Sequence, residues 1–370
     1  MRITGTRFHL VETPRETGAI SEHLLVRVDT DEGLSGWGEW SDLAHGHPAN
    51  FPNFPLLEEE AARRIAGADP LNIARTMDRL TEQGGLAGGI PVALEMALFD
   101  LQGKLLGVPV SALLGGRRRD RIPFCYPIFP LRGEADVEPN IERVRRLRGQ
   151  GFTRIRKYIG TALDAEERFF RELRDAFGQE VEIKSLDLSA RFYWQDALAL
   201  LERFKPYDYQ MAESVSRDRE VRGMAEVRRR LGLPISEHLG SYRQILEYAQ
   251  AEAIDVCNLS TCGLGIRRAK ALFDFAHGLG LRALHGTTQE LSVGTAAAAH
   301  VCAAIERVDL PCDPAGPLLY TEDCTRERVR YEGASLLVPE GPGLGIQVDE
   351  EHLEEIAYKG TRLRQLREGR

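Results

Sequence analysis

Seven short apolar runs, each ending in a polar or aromatic residue, recur through the middle of this 370-residue chain. They end near Tyr126, Tyr158, Asp187, Glu213, Glu237, Ser260 and His285, spaced 23 to 32 residues apart. Amphipathic stretches fill the gaps. One strand and one helix per unit, repeated at that length, predicts parallel strands joined by helical crossovers. Seven or eight such units close into a barrel whose strand C-terminal ends collect the chemistry. A doubly wound open sheet is the other parallel solution, but no GxGxxG or GxxxxGKS/T run accompanies it.

The flanks read differently. "HLLVRVDTDEGLSGWGEW" (23–40) has the pattern of a hairpin, with an acidic, glycine-containing turn between two strands. "EEEAARRIAG" and "PVALEMALFDLQGKLLG" (91–107) are helical, the second stopping at Gly107 before Pro109. The tail "RVRYEGASLLVPEGPGLGIQVDEEHLEEIA" (328–357) is strand-like and then turn-rich. Its "PEGPGLGIQVD" (339–349) suggests a loop returning to the N-terminal unit. The expected division is an α+β unit over 1–120, a βα-repeat body over 121–325 and a closing segment over 326–370.

Bulk properties exclude several classes. The net charge of −8 gives no electrostatic case for nucleic acid or an anionic membrane. No apolar run approaches the roughly 18–20 residues of a membrane span. The first residues, "MRITGTRFHLVETPRETG", lack a hydrophobic signal core, so the cytoplasm is expected. The six cysteines form no CxxC pair and read as free, buried thiols rather than as a disulfide scaffold or zinc site. Only six lysines stand among the 48 basic residues. Arginine keeps its proton, so an amine base has few candidates.

Three consecutive strand ends carry acids. "VEIKSLDLSARF" (181–192) runs into Asp187, "YDYQMAESVSRD" (207–218) into Glu213 and "LPISEHLGS" (233–241) into Glu237 and His238. Taken singly, each is as readily a loop carboxylate or a helix N-cap. At one phase of three successive units, on strands about 5 Å apart, they converge. Converging hard oxygens suit Mg²⁺.

At this point the chain resembles the enolase superfamily, in its mandelate racemase and muconate lactonizing enzyme branch. "DTDEGLSGWGEW" is similar to the family's N-terminal hairpin, and "ALEMALFDLQGKLLGVPVSALLGG" (93–116) to its cap helix. "GFTRIRKYIG" matches a strand that normally reads G-F-x-x-x-K-x-K-x-G, and "VPEGPGLGIQVD" the C-terminal signature. The resemblance implies a modified (β/α)7β TIM-type barrel under a capping domain made from both chain ends. It also implies Mg²⁺ and abstraction of the proton next to a carboxylate, giving an enediolate. Asp187 and Glu213 match the first two metal ligands. For the third, "SEH" favours Glu237, while strict counting lands on His238. Glu237 is taken as the ligand, with His238 beside substrate or metal.

The family's K-x-K strand is altered. Its first lysine helps hold the substrate carboxylate, and its second usually moves the proton. Alternation puts Arg156 and Tyr158 in those places. Arg156 can clamp a carboxylate. Tyr158 serves as base only if its phenolate is strongly stabilised. Lys157 is the rival base if the strand bulges. On the sixth strand Ser260 stands where the family often has lysine or aspartate. On the seventh, "LRALHGTTQELSVGT" (281–295) supplies His285 as an acid/base and Glu290 as a substrate contact. His300 reads as packing and Glu306 as a weak substrate contact. His45, with His47, Asn50 and Phe51, lies on a loop placed to read the substrate's distal end.

The expectation is a Mg²⁺-dependent dehydratase of a hydroxy or sugar acid, with Tyr158 or Lys157 taking the α-proton and His285 assisting hydroxide departure. The alternatives are a racemase, epimerase or cycloisomerase, and a non-catalytic carboxylate-binding relative. A homo-oligomer, dimeric or higher, is expected around the small-molecule site.

Overall fold

The computed structural model describes residues 1–41, 43, 47–82, 84–86 and 88–368. Strands β1 (Ile3–Pro14), β2 (Ile20–Thr30) and β3 (Ser35–Trp40) form an antiparallel sheet in that order. Helices Phe54–Ile65, Ile73–Thr81 and Ile90–Leu106 follow. The third carries Pro91 in its first turn and ends at Gly107 in the left-handed region, φ 68°. β3 lies with its backbone against this helix. A Cβ at Gly36 would stand 2.1 Å from Ala97 O, and one at Gly38 1.9 Å from Ala93 O. The alternating glycines of "SGWGEW" are thus a packing requirement.

β4 (Arg121–Pro123) precedes the parallel sheet. That sheet holds β5 (Tyr126–Ile128), β6 (Arg154–Tyr158), β7 (Glu182–Asp187), β8 (Tyr209–Glu213), β9 (Ile235–His238), β10 (Val256–Leu259) and β11 (Arg282–His285), paired in chain order. Helices Val137–Gly149, Leu163–Phe177, Trp194–Phe204, Val221–Leu231, Tyr242–Gln250 and Ile266–Gly278 lie between successive strands. β12 (Tyr331–Glu332) and β13 (Ser335–Leu337) join β4 in a small antiparallel sheet. β6, β7, β8 and β11 end where the spacing predicts; β9 runs one residue beyond Glu237, and β10 stops one before Ser260.

The sheet curls until both edges touch one segment. Asp313 N donates to His285 O at 2.9 Å, beside β11. Cys312 N donates to Pro123 O at 2.8 Å and Cys125 N to Cys312 O at 2.9 Å, beside β5. The floor inside the curl is apolar: Met211, Val256 and Leu284 are buried together, with Leu310 packed on them.

The tail returns to the N-terminal unit, as "PEGPGLGIQVD" suggests. Val110 N donates to Gly343 O at 2.8 Å and Gly343 N to Val108 O at 3.0 Å. Buried Asp100 accepts from Trp37 N at 2.9 Å, Leu344 N at 2.8 Å and Lys104 Nζ at 2.6 Å. One carboxylate thereby ties hairpin, helix and tail together. All six cysteines are free and buried. Among the described residues, no helix is long and apolar enough to cross a membrane.

Candidate active site at the strand ends

The inner face of the sheet gathers one polar group. Arg156 pairs laterally with Ser185, and Tyr158 with Asp187, which pairs with Glu213. Paired residues of parallel strands share a face, so these side chains look inward. Between Ile155 and Arg156 the register with β7 slips: Ile155 faces Ile183 and Arg156 faces Ser185. Lys184 is the extra residue of this bulge. Its Nζ reaches Asp313 Oδ1 at 2.5 Å and Pro311 O at 3.2 Å.

Arg156 is at the centre. Its Nε donates to Asp187 Oδ2 at 3.1 Å, and Nη2 contacts the same oxygen. Nη2 lies 3.2 Å from Glu213 Oε1, and Nη1 lies 3.0 Å from Asp313 Oδ2. Three carboxylates, two from strand ends and one from the segment after Cys312, therefore surround one guanidinium. Asp187 also accepts from Ser189 N at 2.7 Å. Burial, reinforced by Glu213 and opposed by Arg156, raises the Asp187 carboxyl. Burial acts the same way on Glu213, but Arg156 and His238 outweigh it and hold that carboxyl down to about 2.

Glu213 has two further partners. Asn258 Nδ2 donates to Oε1 at 2.9 Å, and His238 Nε2 lies 3.1 Å from the same oxygen. A Cβ at residue 286 would stand 2.0 Å from Asn258 Oδ1, so Gly286 leaves the room this amide needs. Burial opposes charge on His238, yet the bond to Glu213 prevails and raises its pKa. Its side chain is 34% exposed, the most accessible of the group's ion-paired members.

Glu237 does not join Asp187 and Glu213. In the register of β9 with β10, Ser236 faces inward-looking Val256, Glu237 faces Cys257 and His238 faces Asn258. Glu237 Oε1 accepts from Ser214 Oγ at 3.1 Å and His238 N at 2.8 Å, with Arg219 Nε at 3.6 Å. The third position of the constellation is filled by His238. The strand delivers Glu237 one residue out of phase, which corrects the expected ligand set.

Tyr158 covers the guanidinium. Arg156 Cζ sits 4.5 Å from its ring centroid, and Phe129 stacks on the ring at 5.4 Å. Burial, opposed by Arg156 but supported by Asp187, Glu213 and Asp313, pushes the phenol well above its ordinary 10. Tyr158 is therefore a neutral acid at physiological pH, not the phenolate base considered above.

Lys157 stands on the other face. Nζ pairs with Glu166 Oε2 at 2.5 Å and donates to Phe129 O at 3.1 Å and Tyr158 O at 2.6 Å, among the surrounding helices. The bulge falls in β7 and turns Lys184 inward instead. Burial lowers the Lys157 pKa against the pull of Glu166, but the amine has no path to the inner group.

His285 is likewise outside it. Thr261 N donates to Nε2 at 3.1 Å, so Nδ1 carries the hydrogen and donates to Gly286 O at 2.6 Å. The ring stacks on Phe273, and burial lowers its pKa. With both nitrogens committed and no charge to give, His285 is a structural histidine. Glu290 is also internal. It accepts from Thr287 Oγ1 at 2.6 Å, Thr288 N at 2.8 Å and Thr288 Oγ1 at 3.1 Å, and so shapes its own loop. Ser260 follows β10 on the face of Asn258, nearly buried, with Oγ lacking a hydrogen-bond partner. His45 lies outside the described residues.

Lys184, Asn258 and Asp313 belong to the group and were not singled out from sequence. Strict alternation from Asp187 turns Lys184 outward; only the bulge reverses it. Asn258 lies two residues before Ser260, on its face, and that spacing was a usable signal. Asp313 follows a segment too short to read as a strand.

Two family models span the chain. The mandelate racemase / muconate lactonizing enzyme N-terminal domain matches residues 4–115, and the enolase C-terminal domain-like model matches residues 140–352. The chain belongs to the mandelate racemase and muconate lactonizing enzyme branch of the enolase superfamily. A chloromuconate cycloisomerase of Cupriavidus pinatubonensis is 29% identical over 90% of this chain and 91% of that protein. An N-succinyl-L-Arg/Lys racemase of Bacillus cereus is 26% identical over 96% and 98%. The crystal structure of a muconate cycloisomerase from Pseudomonas fluorescens superimposes with a TM-score of 0.85 over 97% of this chain and 99% of that one. At 24% identity that likeness speaks for the fold alone.

Enzymes of this branch generally use Mg²⁺. The residues here do not fit that ion. Among the described residues, no three His, Cys, Asp or Glu side chains are grouped to hold a metal. Buried carboxylate oxygens without a hydrogen-bond donor do occur, at Glu213 Oε2 and Glu237 Oε2. They belong to side chains on opposite phases of neighbouring strands, short of the octahedral set Mg²⁺ demands. The position between Asp187 and Glu213 is taken by the Arg156 guanidinium.

Proposed function

We propose that this branch member is an isomerase of a small organic acid, moving a proton at the carbon next to a carboxylate, and that it works as a cycloisomerase rather than as a dehydratase. The curled sheet is read as a modified (β/α)7β barrel closed by the 310–313 segment, over 121–325, capped by 1–120 with 326–370. The single observation behind the chemistry is the His238–Glu213 pair, 3.1 Å apart at the strand ends. Glu213 holds the imidazole and favours its charged form, which makes His238 a proton donor.

The reaction follows from that inventory. A carboxylate of an unsaturated diacid adds to its own double bond. The displaced electron pair moves to the carbon next to the other carboxylate, and His238 delivers a proton to that carbon. In reverse, the neutral imidazole removes it. The Arg156 guanidinium supplies fixed positive charge beside the developing enolate. One charged acid suffices for this sequence. Hydroxide departure would need a second donor, and His285 has both nitrogens committed. The cycloisomerases and racemase among the relatives support an isomerase over a lyase.

The test is a panel of unsaturated diacids, lactones, N-acyl amino acids and sugar acids in D₂O, followed by NMR. Ring closure or opening with one deuterium at the α-carbon supports the proposal. Loss of water from a hydroxy acid, or isomerisation undiminished in His238→Asn, overturns it.

A further inference from the structure

The charges around Arg156 can be summed without reference to substrate. Asp187, Glu213 and Asp313 bring three negative charges; Arg156 and Lys184 bring two positive ones. Glu237 has its own partner in Arg219, 3.6 Å away. The balance of the enclosed group is therefore −1 with His238 neutral and 0 with it charged, the form Glu213 favours, and a divalent ion would carry it to +1 or +2. Unscreened buried charge of that kind is strongly unfavourable.

Geometry agrees. A metal ion between Asp187 and Glu213 would sit where the guanidinium donates, because Arg156 reaches both acids and Asp313 at 3.0–3.2 Å. Tyr158 stacks over Arg156 and Phe129 over Tyr158, so the arginine is held from above. Side-chain exposure of Arg156 is only 3%. It is a built-in part of the enclosed polar group at the strand ends, not a mobile surface group.

We infer that this chain works without a divalent metal ion, with the Arg156 guanidinium permanently occupying the cation's place between Asp187 and Glu213. The inference does not depend on the isomerase reading, because its readout is binding rather than turnover.

The experiment starts with protein purified from a medium rich in Mg²⁺ and Mn²⁺, without chelator. Elemental analysis is expected to find less than stoichiometric metal. Calorimetric titration with MgCl₂ or MnCl₂ is expected to show no saturable heat, and the wild-type melting temperature should not move with either salt. One equivalent of retained metal, or a saturable rise in wild-type Tm, overturns the inference. Arg156→Met removes the cation between Asp187 and Glu213 and makes the balance one unit more negative. That variant should melt below wild type and gain roughly 3 °C or more on saturation with Mn²⁺. An Arg156→Met protein that folds but ignores both ions also overturns the inference. If it is insoluble, the wild-type titration decides.

Discussion

Arg156 and Tyr158, two residues apart on β6, stack on each other with the guanidinium carbon 4.5 Å from the ring centroid. The strand that carries lysines in the family here carries a cation and an aromatic lid over it. Tyr158→Phe keeps the stacking face and loses only the hydroxyl. Stability should change by less than about 1 kcal/mol. Turnover should fall at most about tenfold, because the phenol is neutral and the proposed function gives the proton transfer to His238. Comparison of kcat with solvent-exchange rates measures this; complete loss of exchange would return Tyr158 to the role of base.

Lys157→Met should act on folding rather than on chemistry. It leaves Glu166 buried, though that carboxylate keeps bonds from Leu131 N at 2.9 Å and Gly160 N at 3.1 Å. A loss of about 3 kcal/mol is expected, at the low end for breaking a buried pair. The double variant Lys157→Met, Glu166→Gln should recover part of it. Denaturant melts measure both, and kcat of the folded fraction should stay within a few-fold of wild type.

For His285→Gln the outcome is again structural. The substitution keeps one donor and one acceptor but loses the stack on Phe273. We expect a lower Tm, by about 1–2 kcal/mol of stability, with the pH profile of kcat unmoved. A profile that loses a limb would make His285 a proton carrier after all.

His300 sets a pH dependence. Burial in the helix Ser292–Ala304 lowers its pKa to about 4, although its bond to Leu344 O pulls the other way. The folded state keeps it neutral down to that pH, while the unfolded chain takes up a proton below about 6.5. Stability from this site is full above 6.5 and is lost as pH falls towards 4. At pH 5 the loss is about 2 kcal/mol. His300→Gln should flatten the fall between pH 7 and 5 relative to wild type, whatever the carboxylates contribute to both.

Gly286→Ala tests the support of Glu213. The added carbon would meet Asn258 Oδ1 at 2.0 Å and must displace the amide that donates to Glu213. A cost of about 1–3 kcal/mol is expected, with kcat falling alongside. An alanine variant as active and stable as wild type would show that Asn258 is not needed there.

The fold was largely legible because the βα period is a property of the chain alone. β6, β7, β8 and β11 end at the residues the spacing names, and the glycines of β3 and the tail signature mark contacts they actually make. The site was legible only in part. Asp187, Glu213 and Arg156 are brought together as phase predicts. Glu237 and His238 were one residue apart in an ambiguous count, and strand register chose the histidine. Lys184 was hidden by a bulge, which has no signature in "VEIKSLD". His285 shares the strand-end position of functional residues, but its parity matches Ala283 and turns it to the helices. Parity within a four-residue strand depends on where pairing starts, and that is settled by neighbours far away in sequence.

Asp100 accepts from Trp37 and from Leu344, and the latter partner lies 244 residues downstream. During synthesis the hairpin and its helix leave the ribosome long before the tail that completes their bonding. Until then Oδ2 has its partners in Trp37 N and Lys104 Nζ, while Oδ1 lacks the bond that Leu344 N supplies. The N-terminal unit therefore completes its bonding to Asp100 only once residue 344 has been made, and a chain cut short before residue 340 would lack that bond permanently.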